Sequence, residues 1–194
     1  MKRFLMPFLF LILCVFALQA GSQPEKTFSW NLGLQNVKSG EMIPFSAPVK
    51  SWTGEQFRLV IESGTNCFCY VIAESPNGDE VAALYSGALK AKDVWYSPVL
   101  ELSLPKGAES LFVIASQEEQ KTLAQRIAAL NSSAPAQRAL MSEIFRLRGE
   151  VSQFKEAPEK PVLMGGASRG TPEKSQGVEF SGSGIYVKTI SIEH

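Results

Sequence analysis

Histidine is almost absent from this chain of 194 residues, and its scarcity argues against several kinds of active site. The only histidine is His194, the last residue, where we expect the backbone to fray. A nucleophilic triad needs an imidazole held between a nucleophile and a carboxylate, and catalytic zinc sites of the common kind need several imidazoles. The sequence therefore predicts no catalytic residue, no metal site and no cofactor.

Cysteine is also scarce: the chain has three, and only two of them follow the N-terminal segment. Cys67 and Cys69 lie two positions apart on a predicted strand, so their side chains point to the same face. Parallel side chains fit disulfide geometry poorly. We favour two small buried hydrophobic residues, and a strained redox-active bond is the alternative.

Neither sign of charge is in excess, because 19 Lys and Arg residues balance 19 Asp and Glu residues. Nucleic acid binding requires a basic face that displaces counterions, so the balance argues against a nucleic acid partner. It argues equally against a polybasic lipid-binding surface. A protein or another envelope component is the expected partner.

A long hydrophobic run occurs once, at the N-terminus. Lys2 and Arg3 precede an apolar run over residues 4–16, and small residues follow at 17–22. This order is typical of a secretory signal peptide, here residues 1–21 with cleavage within 17–22. The run is too short to span a bilayer comfortably, and because no second long apolar run appears, no transmembrane segment is expected after cleavage. Lipid attachment at Cys14 is not favoured, because the large Leu13 precedes it.

Cleavage would leave a single exported domain, residues 22–194, in the periplasm or outside the cell. About 170 residues are enough for one hydrophobic core. Within residues 27–116, short apolar segments alternate with turn residues. The first segment has apolar residues at a period of two: Phe28, Trp30, Leu32 and Leu34. Asn77 and Gly78 indicate a hairpin. This pattern predicts an antiparallel β sandwich or a barrel-like sheet.

A helical insertion is predicted at residues 117–156, which makes the fold class α+β. The second of its two helices carries a stripe of apolar residues at steps of three and four: Leu140, Ile144, Leu147, Val151 and Phe154. We favour packing of this stripe against the sheet, and a homodimer through the second helix is the alternative. A Gly-rich loop is then expected at 164–184, with a short strand at Glu179-Phe180 inside it as the alternative, and a closing strand is expected at 184–193.

Residues 56–119 resemble the bacterial family known as domain of unknown function 4384. The resemblance rests on a strand at 57–63, an aromatic-rich strand at 69–73, a polar glycine turn at 77–79, a corner at 83–86 and a Pro-x-Gly element at 105–107. The family consists of exported β domains, alone or attached to peptidase-like, kinase or lipoprotein modules. The resemblance implies a binding or scaffolding role and supplies no active-site residues.

Three aromatic residues lie near predicted turns or strand ends: Trp52, Trp95 and Tyr96. Exposed aromatic side chains at such places often bind partners, and this trio is the candidate ligand or partner surface. We favour the other interpretation, in which they cap the end of the core. The sequence thus favours a non-enzymatic binding or assembly module of a bacterial cell envelope. The other candidate is an envelope hydrolase that uses carboxylates without histidine.

Overall fold

The computed structural model describes residues 27–151, 160–163 and 176–194. The strands are β1 Phe28–Asn36, β2 Met42–Ile43, β3 Val49–Lys50, β4 Gln56–Ser63, β5 Cys67–Glu74, β6 Val81–Leu89, β7 Val94–Tyr96, β8 Leu100–Glu101, β9 Ala108–Ser116, β10 Lys160–Leu163, β11 Gln176–Gly182 and β12 Ile185–Glu193. The helices are α1 Lys121–Ala128 and α2 Ala134–Val151. The predicted signal peptide lies outside the described residues.

Two sheets form the β part. The first sheet has the order β10-β11-β1-β4-β7, with β2 beside β1 and β8 beside β4. The second sheet has the order β3-β12-β9-β5-β6. Every pairing is antiparallel except that of β12 with β3. The α+β class and the sandwich with a helical insertion are confirmed.

The main core lies between the two sheets, and strand alternation determines which side chains enter it. In β1 the residues Phe28, Trp30, Leu32 and Leu34 are all buried. Their intervening neighbours Ser29, Asn31 and Gln35 lie on the opposite, outer face. Trp30 stacks on Phe180 of β11 with ring centroids 4.7 Å apart, which joins the C-terminal part of the chain to the first strand.

A second core lies between the other face of the second sheet and the two helices. Leu140, Ile144 and Leu147 of α2 are buried there together with Leu123 of α1. The favoured packing of the apolar stripe against the sheet is therefore confirmed for these three residues. The side chains of Val151 and Phe154 lie outside what the structure describes. Dimerisation stays a prediction, and a dimer through α2 would have to use its other face.

Tyr70 of β5 joins this helical layer to the sheet with a specific polar contact. Its hydroxyl accepts a hydrogen bond of 2.9 Å from the backbone N–H of Gln120. Gln120 is the N-cap of α1 and its side chain makes no capping bond, so the tyrosine satisfies a helix-end donor that would otherwise be unpaired.

Residues 164–184 were expected to form a Gly-rich loop, and this expectation is wrong for their C-terminal part. Strand β11 occupies Gln176–Gly182 and pairs with β1 from Phe28 to Leu32. The prediction failed because strand content there depends on the pairing partner more than on local composition. The closing strand is confirmed as β12, which pairs with β9 along its whole length. The hairpin at Asn77-Gly78 joins β5 to β6, as expected.

Candidate functional site

The free edge of the first sheet is formed by residues 94–104. Strand β7 pairs with β4 at Val60, Ile61 and Glu62, and β8 pairs with β4 at Gln56 and Phe57. Between them Ser97 donates its backbone N–H to the Leu59 carbonyl at 2.9 Å. This segment has β4 on one side only, so its other side is an open sheet edge within the described structure.

The loop that contains Trp52 is joined to this edge by backbone hydrogen bonds. Gly54 donates to the Leu102 carbonyl at 2.7 Å, and Leu102 donates to the Glu55 carbonyl at 3.0 Å. Gly54 has a φ of 89°, a conformation that glycine adopts readily and other residues avoid. The tight turn therefore places Trp52 next to the end of the edge segment.

Exposed apolar side chains concentrate at this edge. The described residues include six large hydrophobic side chains classed as exposed, and five of them belong to the edge segment or its loop: Trp52, Val94, Tyr96, Val99 and Leu104. We call these five residues the apolar edge. Trp52 is 80% exposed and Leu104 is 72% exposed. Because exposed hydrophobic residues scattered singly are ordinary, it is their grouping that indicates a binding surface.

The predicted aromatic trio divides between surface and core. Trp52 and Tyr96 are exposed. Trp95 instead turns inward against the main core and packs on Tyr85 of β6, with ring centroids 5.0 Å apart. Adjacent residues of a strand point to opposite faces, so Trp95 and Tyr96 cannot share one surface. For Trp95 the capping alternative describes the structure better.

Sequence reasoning missed the three aliphatic members of the apolar edge, Val94, Val99 and Leu104. A signal was present for two of them, because Pro98 precedes Val99, Pro105 follows Leu104, and proline within sheets is confined to edges and bulges. Apolar residues beside such prolines were candidates for an exposed edge.

His194 does not fray, contrary to expectation. Its backbone exchanges two hydrogen bonds with Gly107, at 3.0 and 3.1 Å. Its side chain is fully buried, with Nδ1 3.4 Å from the Thr53 hydroxyl and Nε2 3.4 Å from a Glu109 carboxylate oxygen. The parallel pairing of β12 with β3 brings the imidazole to this position.

The order Thr53–His194–Glu109 has the residue types of a nucleophile, a base and an orienting acid, but its surroundings favour a structural role. Both contacts are long for hydrogen bonds. The neighbouring backbone donors of Gly54 and Gly107 already bond to carbonyls, so neither is directed at a substrate oxyanion. Burial raises the pKa of Glu109, although His194 opposes the shift. We interpret the contacts of His194 with Thr53 and Glu109 as structural, because they hold the C-terminal end of β12 in place.

Cys67 and Cys69 are free, buried thiols of the main core. Burial raises the pKa of both, and for Cys69 the neighbouring thiol adds to the effect. The reactive form of cysteine is the thiolate, so a raised pKa in a buried site describes an unreactive side chain. This arrangement agrees with the interpretation of the pair as small core residues.

The described part of the chain contains neither a group of metal-ligating side chains nor a membrane-spanning helix. Within residues 27–151, 160–163 and 176–194, His, Cys, Asp and Glu side chains form no group of three or more that could hold a metal ion. No helix of these residues has the length and apolar character needed to cross a membrane.

Comparison with known proteins supplies no function for this chain, so a proposal has to rest on the geometry described above. No family model matches the chain, no curated protein matches it, and no solved structure matches it. The resemblance of residues 56–119 to domain of unknown function 4384 therefore stays a prediction.

Proposed function

We propose that this chain is an exported, non-enzymatic binding or assembly module of a bacterial cell envelope, and that it holds a protein partner at the apolar edge. One observation carries the proposal: five of the six exposed large hydrophobic side chains of the described residues lie on one sheet edge and the loop bonded to it. An accessory module of this kind agrees with what the predicted signal peptide and the family resemblance imply.

The chemistry of the edge favours a protein over a carbohydrate. Three of its five side chains are aliphatic, whereas sugars are bound by flat aromatic rings bordered by polar groups. Beside these side chains runs an open strand edge, whose backbone groups can pair with an extended segment of another chain. A partner strand would add to the first sheet next to β7 and β8, and its side chains would contact Tyr96, Val99 and Leu104.

No observation on the described residues specifically supports the hydrolase alternative. The carboxylates of Glu109 and Glu143 are largely shielded from solvent, and each is engaged by a neighbour, His194 and Arg146 respectively. Each therefore has a structural explanation within the fold.

The proposal is tested by comparing what three forms of the protein capture from envelope extract. The double variant Trp52→Ser, Leu104→Ser removes the two most exposed members of the apolar edge, and Lys121→Ser with Gln125→Ser is the control at two exposed positions of α1. Substitutions at such exposed positions change stability little. Anchor residues of an interface each contribute about 2 kcal/mol, so the double variant should weaken partner binding by about a thousandfold.

The wild-type protein and the control should recover the same partner to the same extent. Equal recovery by all three forms would contradict the proposal, because the partner would then bind elsewhere on the molecule.

A further inference from the structure

Strand β6 forms a free edge of the second sheet. It runs for nine residues, Val81–Leu89, with β5 on one side and no strand on the other within the described structure. Beyond its pairing with β5, it makes one further hydrogen bond among the described residues, from the Tyr85 hydroxyl to the Ala88 carbonyl at 3.1 Å. A carbonyl oxygen has two lone pairs, so this group can still accept a second bond. The outward backbone groups of β6 are therefore available to another strand.

The other edge strands carry features by which proteins protect such edges, and β6 does not. Strand β3 has two residues and follows Pro48, β10 contains Pro161, and the three residues of β7 are followed closely by Pro98. Residues 81–89 include neither a proline nor a charged side chain. Their exposed side chains are all small: Ala82, Ala83, Ser86 and Ala88. Because short strands, prolines and charges prevent one sheet edge from pairing with another, their absence indicates that β6 is an edge that pairs.

One irregularity interrupts β6 without covering its free edge. The register with β5 shifts between Val71 and Ile72, which makes Leu84 an extra residue in β6. A bulge of this kind bends a strand locally. Beyond it, residues 85–89 pair in unbroken register with residues 67–71. Five consecutive residues of the edge therefore keep a regular backbone that a further strand can follow.

Charges at the two ends of β6 indicate which strand would pair with it. Asp79 and Glu80 precede β6, Lys90 and Lys92 follow it, and all four are exposed. Asp93 comes next, and its carboxylate accepts a hydrogen bond from the Lys90 backbone N–H at 2.8 Å, which leaves the lysine side chains outside this contact. Opposite charges that face each other across two strands are stabilising, and like charges are destabilising.

These charges make β6 complementary to itself in the antiparallel direction. When two copies of β6 run antiparallel, the acidic end of each strand meets the basic end of the other. Glu80 and Lys90 lie equally far along the chain from Tyr85, so a pairing centred near that residue brings them together. A parallel pairing would instead place like charges side by side.

We propose that two copies of this chain form a dimer through antiparallel β6 strands, which joins their second sheets into one. The interface is isologous, since each copy contributes the same strand. The contact of Glu80 with Lys90 of the partner subunit therefore occurs twice. A protein of another sequence would need the same order of charges in reverse, whereas a second copy always supplies it.

This interface is separate from the apolar edge. Tyr85 of β6 packs on Trp95 of β7, so the two edges lie on the same side of the sandwich. They belong to different sheets, however, and Tyr96 points away from the second sheet because Trp95 points towards it. The second copy and the protein partner therefore use different layers of the molecule, and the dimer does not depend on the proposed function.

Sedimentation velocity of the purified exported protein over a range of concentrations tests the dimer. Glu80→Lys places lysine opposite Lys90 at both ends of the paired strands, and Lys90→Glu places glutamate opposite Glu80. Each variant alone should dimerise about tenfold more weakly than the wild-type protein, because two attractive contacts become repulsive. An equimolar mixture of the two variants should recover wild-type dimerisation, since each copy then meets the opposite charge at both ends.

Lys38→Glu and Glu41→Lys are the matched controls, because they make the same charge changes at exposed positions outside β6 and should leave dimerisation unchanged. The variant Trp52→Ser, Leu104→Ser should also dimerise normally, so this outcome is separate from that for the apolar edge. A protein that stays monomeric, a mixture that dimerises no better than its components, or equal weakening by the controls would overturn the proposal. Capture of a different protein through β6 of a monomeric chain would also overturn it.

Discussion

At the scale of single residues, burial decides what each chemically capable side chain can do. Cys67 and Cys69 are nucleophilic residue types, but both lie in the core between the sheets, where forming a thiolate is costly. His194 is a base in principle, but its fully buried side chain serves a structural contact with Thr53 and Glu109. The sequence identifies such residues, and the structure shows that the described surface does not present them.

The thiols provide the residue-scale prediction. Iodoacetamide should leave Cys67 and Cys69 unmodified in the folded protein at mildly alkaline pH, because their raised pKa values keep them protonated and the core excludes the reagent. After denaturation without reductant, both should be alkylated. Mass spectrometry of the peptides that contain residues 67 and 69 measures this, and recovery of an intact bond between them would contradict the core assignment.

At the scale of elements, local patterns predict which face of a strand or helix is buried but do not predict long-range pairing. The period of two predicts β1, and the Asn77-Gly78 turn predicts the hairpin of β5 and β6. The stripe at Leu140, Ile144 and Leu147 predicts the buried face of α2. The sequence offered only a short strand at Glu179-Phe180 as an alternative, because the full length of β11 depends on its pairing with β1. The docking of His194 likewise depends on β12 meeting β3.

For α2 we predict that the contribution of Glu143 to the free energy of unfolding depends on pH. A hydrogen bond from Arg146 is the main reason that the pKa of this carboxyl lies below its ordinary value of 4.5. A lowered folded-state pKa stabilises the protein above that ordinary value, and the contribution is lost as the pH falls through the folded-state pKa. Because Arg146 is half exposed, solvent screening limits the effect to about 0.5 kcal/mol.

Urea unfolding of the wild-type protein and of Glu143→Gln measures this contribution. At neutral pH the variant should be less stable by about 0.5 kcal/mol, and at about pH 3 the difference should disappear. A difference of the same size at both pH values would mean that the carboxylate charge is not what Arg146 stabilises.

At the scale of the whole molecule, the three layers divide the surface into regions of different chemistry. The outer face of the first sheet is mainly polar, with Asn31 near Glu62. The helical layer covers one face of the second sheet, and the free edge of the first sheet carries the apolar edge. Composition could not locate these regions, because each one is assembled from segments that only folding brings together. The loop that contains Trp52, for example, meets the edge segment through the hydrogen bond from Gly54 to Leu102.

The central claim is that the apolar edge holds a protein partner, and photo-cross-linking in the living cell tests it most directly. A benzophenone amino acid in place of Tyr96 lies on the edge, and the same amino acid in place of Ser181 lies on the opposite side of the first sheet as an exposed control. The account predicts one discrete cross-linked species from position 96 and none from position 181. No cross-link at 96, or the same species from both positions, would contradict it.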